Sequence, residues 1–115
     1  THWTRDRKRG DLLPLPLVVK LQTRDTAELY GLLDRGLLAP GYKADVNVID
    51  YDNLRLCLPE IAYDLPGGSR RLVQRAVGYV ATIVGGEVVL RDGEPTGAMP
   101  GNVLRGAQPA PVIVG

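Results

Sequence analysis

The spacing of apolar residues changes once along the chain, and this change limits the folds that the chain can adopt. Leu13, Leu17 and Leu21 are four residues apart, which places them on one face of a helix. Beyond residue 40 the spacing shortens to two, and Val46 and Val48 alternate with polar neighbours as in a β-strand. The order predicts helices first and a sheet afterwards.

Two short helices are expected between residues 13 and 31. Pro14 suits a first helical turn, where a missing N–H costs little. Thr23 is expected to cap the second helix with its hydroxyl, and Ala27 and Tyr30 are expected to share one face of it. Gly31 is a natural residue for the end of that helix.

The sheet is predicted to be small and antiparallel because tight turns join its strands. Pro40 followed by Gly41 indicates a type II turn, and Gly85 followed by Gly86 indicates a two-residue hairpin. Strands are predicted at residues 44–49, 54–58, 79–84 and 87–91, with a further edge strand at 103–104. There is no internal repeat.

Composition narrows the functional classes. At 115 residues the chain has room for one small core but not for a (β/α)8 barrel, which needs roughly 250 residues. The net charge of +1 argues against nucleic acid as a partner, and the lack of a long apolar run argues against a membrane partner. Cys57 is the one cysteine, which excludes an internal disulfide and fits a reducing, cytoplasmic compartment.

Residues able to build a catalytic centre are sparse. A catalytic metal site takes three or more His, Cys or carboxylate ligands, and this chain has one His and one Cys, far apart in sequence. Ser69 is the one serine, and no motif marks it as a nucleophile. Three further features could each have a function, but a structural role is favoured for each of them. Cys57 is interpreted as a packing residue and Gly67-Gly68 as a flexible loop. The charged residues of 5–9 are interpreted as part of a solvated loop.

Two stretches resemble a known family. The segment DRGLLAPGYKADVNVID (residues 34–50) is similar to the G-x-L-x-P-G-x-x-A-D-x-x-x-x-D signature that follows the catalytic barrel in amidohydrolases. The segment HWTRDRKRG (2–10), with YDLP (63–66) and GAMPG (97–101), resembles the N-acyl-D-amino-acid deacylase branch. The likeness extends over nearly the whole chain up to residue 106.

The resemblance implies a fold class and an activity. The chain would be an α+β fragment, with terminal helices of a (β/α)8 barrel (residues 1–33), a small antiparallel β-sheet of the β-sandwich domain (34–106) and a flexible tail (107–115). The parent would be a zinc-dependent hydrolase of the amide bond in N-acyl-D-amino acids. The zinc ligands and catalytic residues would precede Thr1, so this segment would bind no zinc and hold no catalytic residue. Residues at the edge of the cleft would be His2, Arg5 and Asp6.

The resemblance also leads to expectations about the polypeptide before Thr1 and about binding partners. The chain starts at Thr1 and not at methionine, so a preceding segment is expected. Its partners would be the rest of the barrel and a small N-acyl amino acid. In isolation the exposed apolar stripe should make it self-associate. Two alternatives stay open, namely part of a cyclic-amide hydrolase such as a dihydropyrimidinase or hydantoinase, and a non-catalytic β-rich binding module.

Overall fold

A computed structural model describes residues 1–112, so the last three residues of the predicted tail lie outside the described part. The chain starts with one π-helical turn, His2–Asp6, followed by α1, Leu15–Gln22, and α2, Arg24–Leu29. Within the described residues eight short strands follow: β1 Val46–Ile49, β2 Arg55–Leu56, β3 Glu60–Ala62, β4 Arg71–Val73, β5 Ala76–Val77, β6 Tyr79–Val84, β7 Glu87–Arg91 and β8 Glu94–Pro95. A 3₁₀ turn, Pro66–Gly68, lies between β3 and β4. The predicted mixture of helices and antiparallel strands is confirmed.

The junction of the two helices differs from the prediction in two details. The Thr23 hydroxyl donates to the Val19 carbonyl (2.8 Å) in the last turn of α1 and does not cap α2. With φ −117° and ψ −83°, Thr23 lacks the extended conformation from which a cap side chain reaches forward. Tyr30 is 71% exposed while Ala27 is buried, because α2 ends at Leu29 and Tyr30 lies beyond its last turn. The predicted end of the helix before Gly31 is confirmed.

The main sheet has four strands in the order β1-β6-β7-β8, and all neighbouring pairs are antiparallel. The predicted hairpin is present, with β6 and β7 joined at Gly85-Gly86. Residues 103–104 form no strand, contrary to the prediction. Val103 is 84% exposed, so the two apolar residues there have no buried sheet face to join.

The remaining strands form a long two-stranded ribbon, residues 55–77, which we call the arm. In the arm β2 pairs with β5 and β3 with β4, and these pairs continue outward from the β1–β6 pair in nested order. The predicted strand 54–58 shortens to β2 because the ladder is interrupted before Pro59, which has no N–H to donate. Pairing resumes at β3, a strand that the sequence pattern did not predict.

The molecule is open and nearly coreless in its described part. Its radius of gyration is 17.0 Å, against about 13 Å expected for a compact domain of this length. Ala27, at 8% exposure, is the one buried apolar side chain among residues 1–112, so these residues do not form the small core that the length of the chain would allow. Leu17 and Leu21 of α1 are exposed, and so is Leu13, which precedes the helix because α1 starts at Leu15. None of the helices in the described residues combines the length and apolar character needed to cross a bilayer.

Candidate functional site

The segment that resembles the deacylase branch is fixed to the sheet at one place. The Thr1 carbonyl accepts the N–H groups of Thr4 (3.1 Å), Arg5 (2.8 Å) and Asp6 (3.1 Å), which closes the π-helical turn. This turn lies against residues 50–54, the connection between β1 and β2. Tyr51 donates its hydroxyl proton to Thr4 Oγ1 (2.7 Å) across the contact.

One arginine makes most of this attachment, which we call the Arg5 clasp (Arg5, Asp6, Tyr51, Asp52 and Leu54). The Arg5 guanidinium donates to the backbone carbonyls of Tyr51, Asp52 (3.0 Å) and Leu54 (2.6 Å). It also lies 5.3 Å from the centre of the Tyr51 ring. A planar fork with five N–H donors can satisfy several carbonyls of one turn at once, which a lysine cannot do in the same geometry.

Asp6 completes the clasp. Arg5 Nε donates to Asp6 Oδ1 at 2.7 Å and Nη2 donates to Oδ2 at 3.3 Å. The hydrogen bond from Arg5, followed by one from Thr1, lowers the pKa of the Asp6 carboxyl from 3.8 to about 2. Both charged groups therefore already have partners inside the molecule.

Acid should weaken the clasp by removing the Asp6 partner of Arg5, and Trp3 can report the change because it is the single tryptophan of the chain. Asp6 has a folded-state pKa of about 2 and an ordinary value of 3.8, so its stabilising contribution is complete above about pH 4 and is lost as the pH falls through about 2. We expect a change in Trp3 fluorescence over this interval. In Asp6→Asn the same titration should show no step, and an identical step in that variant would contradict the assignment.

His2 and Trp3 lie on the outer side of the same turn. The His2 ring meets the Trp3 ring edge-on, with centres 5.3 Å apart and planes at 83°. The Arg7 guanidinium covers the Trp3 ring at 4.8 Å. Of the three residues predicted at the cleft edge, Arg5 and Asp6 bind each other and Arg5 alone binds the 50–54 connection, whereas the His2 side chain is exposed. Contact of any of the three with a substrate stays a prediction.

The signature segment 34–50 has a structural role that its residue types explain. Arg35 pairs with Asp34 (2.9 Å) and Asp45 (3.5 Å), and the Arg35 hydrogen bond lowers the pKa of Asp34. Asp45 Oδ1 also accepts the N–H of Gly85 (2.9 Å) in the β6–β7 hairpin. Asp45, the first aspartate of the signature, thus joins the loop after α2 to the main sheet.

The turn and the first glycine of the signature finish this junction. Tyr42 N–H donates to the Ala39 carbonyl at 3.2 Å and Gly41 has φ +84°, which confirms the type II turn. Gly36 packs so closely on α2 that a Cβ there would lie 2.9 Å from both Ala27 Cβ and the Thr23 carbonyl oxygen. The signature therefore holds α2 against the beginning of the sheet.

Residues for hydrolytic chemistry do not converge in the described part. No group of three His, Cys, Asp or Glu side chains in residues 1–112 could hold a metal ion. Ser69 lies between β3 and β4 in the arm, while His2 belongs to the π-helical turn. Cys57 is half-buried beside β2, where its N–H donates to the Arg75 carbonyl (2.9 Å). An open cleft of about 490 Å³ between the helices and β1 has a mainly apolar lining, with Lys20, Arg24, Lys43 and Asp45 as its charged residues.

Comparison with known proteins identifies a family and a partial relative. The family model described as "Amidohydrolase family" matches residues 1–90. An adenine deaminase from Lysinibacillus sphaericus (strain C3-41) is 59% identical over 32 residues, which is 28% of this chain. The matched stretch spans 6% of that relative's length. No solved structure matches the chain.

Proposed function

Because the chain belongs to the amidohydrolase family, we propose that it is the C-terminal part of a metal-dependent hydrolase of N-acyl-D-amino acids. The family match supports a hydrolase as the parent protein. The N-acyl-D-amino-acid substrate and the cytoplasmic location are proposed from the sequence resemblance and the single cysteine. The role of this part is to support the catalytic part, with α1 and α2 against its outer surface.

The observation that carries the supporting role is the pair of attachments in the structure. The Arg5 clasp ties the first residues to the connection between β1 and β2, and Arg35 with Asp45 ties the loop after α2 to the main sheet. The apolar face of α1 stays exposed between these attachments. Attached segments with an uncovered apolar helix between them are typical of a domain edge that packs against a larger body.

Zinc is proposed for the preceding part of the polypeptide and not for this chain. The residues described here do not fit it, since residues 1–112 bring no three potential ligands together. We therefore assign no chemical step to this chain. In the parent protein the metal would activate water for attack on the amide carbonyl.

The adenine deaminase similarity favours a second candidate within the same family. A parent of that type would release ammonia from adenine instead of hydrolysing an N-acyl amino acid. The identity of 59% is high, but it covers 32 residues and so supports the family more than the substrate.

The decisive experiment is an assay of the full-length product of the gene, with bound metal measured in parallel. N-acetyl-D-amino acids, N-acetyl-L-amino acids and adenine are offered separately. Bound zinc with selective cleavage of the D series is the expected result. Ammonia release from adenine would replace the deacylase proposal with the deaminase one, and a product without bound metal would contradict both.

The isolated chain is expected to self-associate through α1. Light scattering after gel filtration should give a mass above the 12.4 kDa of the monomer. Leu17→Glu places a charge in the middle of the exposed apolar stripe and should shift the mass toward the monomer. Met99→Glu, at an exposed position outside the stripe, is the matched control and should leave the mass unchanged. A monomeric wild-type chain would count against the exposed face as a contact surface.

A further inference from the structure

The segment that follows the Arg5 clasp contains three adjacent cations without an acidic partner. Those outside every ion pair of the described residues are Arg7, Lys8 and Arg9. The two carboxylates of the same segment do not compensate for them, because Asp6 is bonded to Arg5 and Asp11 forms no ion pair within the described range. In residues 1–11, four positive and two negative side chains leave a net charge of +2.

The backbone that carries these cations is a closed loop. Leu13 N–H donates to the Trp3 carbonyl (2.9 Å), which brings the two ends of the loop 3–13 together. The Arg5 clasp holds the beginning of the same loop on the connection between β1 and β2. Because the loop is already held in one shape, a ligand that binds to it loses less free energy to ordering.

Arg7 is held in place by three contacts. Its guanidinium covers the Trp3 ring at 4.8 Å, and Nη1 donates a long hydrogen bond (3.4 Å) to the Asp11 carbonyl. The guanidinium also lies over Gly10, where a Cβ would be 2.9 Å from Nη2. These contacts leave Arg7 half-buried, and none of them supplies a negative charge. At Arg7 the structure therefore differs from the solvated loop that the charge pattern favours.

The three cations line one open depression of about 410 Å³. Its lining residues are His2, Asp6, Arg7, Lys8 and Arg9. Asp6 is the acidic residue of this lining, and its carboxylate is already bonded to Arg5. The His2 ring, held edge-on against Trp3, adds a group that can form a hydrogen bond. Positive charges around one depression repel each other, so an anion bound among them removes an unfavourable interaction.

The types of cation indicate a phosphate group. A guanidinium binds two phosphate oxygens at once through its planar fork, and a lysine ammonium adds a point charge. A phosphate ester carries about two negative charges and three acceptor oxygens, which matches three cations. A single carboxylate has one charge and would leave most of the cluster uncompensated. Since the net charge of the whole chain is +1, an extended nucleic acid is disfavoured and a small molecule is the fitting ligand.

We propose that Arg7, Lys8 and Arg9 form a binding site for a phosphate-bearing small molecule. Arg7, fixed on the Trp3 ring, binds the phosphate through its fork, and the other two cations supply further positive charge. His2 adds a hydrogen-bonding group to the same depression. The inference goes beyond the hydrolase activity proposed above and does not depend on the substrate of the parent protein.

Calorimetric titration of the full-length protein with glycerol phosphate tests the site. Arg7→Lys keeps the charge but loses the fork, so it should bind about tenfold more weakly than the wild type. Arg105→Lys, the same substitution at an exposed position outside the loop, is the matched control and should bind like the wild type. Equal affinity of Arg7→Lys and the wild type, or no binding of glycerol phosphate, would overturn the proposal.

Two further ligands test the chemical class in the same titration. Acetate should bind about tenfold more weakly than glycerol phosphate, because it carries one charge and two acceptor oxygens. Equal affinity for acetate would overturn the assignment to phosphate. Vesicles that contain phosphatidic acid offer the phosphate on a membrane surface. Binding to these vesicles without binding of glycerol phosphate would overturn the assignment to a small molecule.

Hydrogen exchange locates the bound phosphate in the wild type and needs no variant. With saturating glycerol phosphate, amides of residues 2–11 should exchange about threefold more slowly than in its absence, because the ligand stabilises the closed loop. Protection confined to other segments of the full-length protein would overturn the proposal. The measurement is independent of the substrate of the hydrolase, so failure of the deacylase assay does not affect it.

Discussion

Gly78→Ala should lower the free energy of unfolding by about 3 kcal/mol, the sum of a strained backbone and a steric clash. Gly78 lies between β5 and β6 with φ +103°, a conformation that residues with a side chain rarely adopt. A Cβ at this position would lie 2.7 Å from Leu54 Cα and 3.0 Å from the Asp50 carbonyl oxygen. Because both neighbours are backbone atoms, no rotation of a side chain can relieve the contact.

The comparison with Gly97→Ala separates the two causes. Gly97 has φ +91°, and no atom lies within 4 Å of a Cβ built there, so this variant carries the backbone strain alone, about 1 kcal/mol. Denaturation by guanidinium measures the free energy of unfolding of both variants. Equal losses in the two variants would show that the chain yields at residues 50–54 and that the predicted clash is absent.

The Gly78 variant should also disturb the clasp. The residues that a Cβ would push are next to the Tyr51, Asp52 and Leu54 carbonyls that accept from Arg5. The fluorescence of Trp3 at neutral pH is therefore expected to change as well, which an effect confined to the arm would not produce.

Gly36→Ala is expected to lower the free energy of unfolding by about 2–3 kcal/mol, because it opens the junction between α2 and the sheet. The new methyl group would lie 2.9 Å from Ala27 Cβ, against the one buried apolar side chain in the described residues, and 2.9 Å from the Thr23 carbonyl oxygen. Circular dichroism should show loss of helix at a lower denaturant concentration than in the wild type.

Gly106→Ala is the matched control for this junction. Its φ of +83° is close to the +81° of Gly36, and no atom lies within 4 Å of a Cβ built there. Gly106→Ala should lower the free energy of unfolding by about 1 kcal/mol, which is the strain of the backbone alone. If Gly36→Ala and Gly106→Ala lowered the free energy of unfolding by the same amount, the close packing of Gly36 on α2 would not explain the effect of Gly36→Ala.

Local patterns in the sequence were sufficient for several elements. Helices α1 and α2, the type II turn at Pro40-Gly41 and the β6–β7 hairpin were predicted because each depends on residues only a few positions apart. Strand β3 and the length of the arm were not predicted, since Pro59 breaks the alternation there. The predicted boundaries of the segments at residues 33 and 106 stay predictions.

The contacts of Arg5 in the candidate site could not be predicted from local patterns. His2, Arg5 and Asp6 were singled out for the edge of a catalytic cleft because the resemblance places them in the connection after the last barrel strand, at the catalytic face. In the structure Arg5 binds carbonyls 46 to 49 positions further along the chain. No pattern in the sequence indicates that a turn there would present three carbonyls to one guanidinium.

The sequence by itself determined the family, the order of helices and strands, and the turns, because these follow from short-range spacing and from residue types with restricted backbone conformations. The tertiary structure alone decided that Arg5 serves as an attachment and that Asp45 joins two elements. It also decided that the arm and the α1 face are left uncovered. These features depend on which distant segments meet, and hydrogen bonds and apolar contacts of that kind are fixed only when the whole backbone is in place.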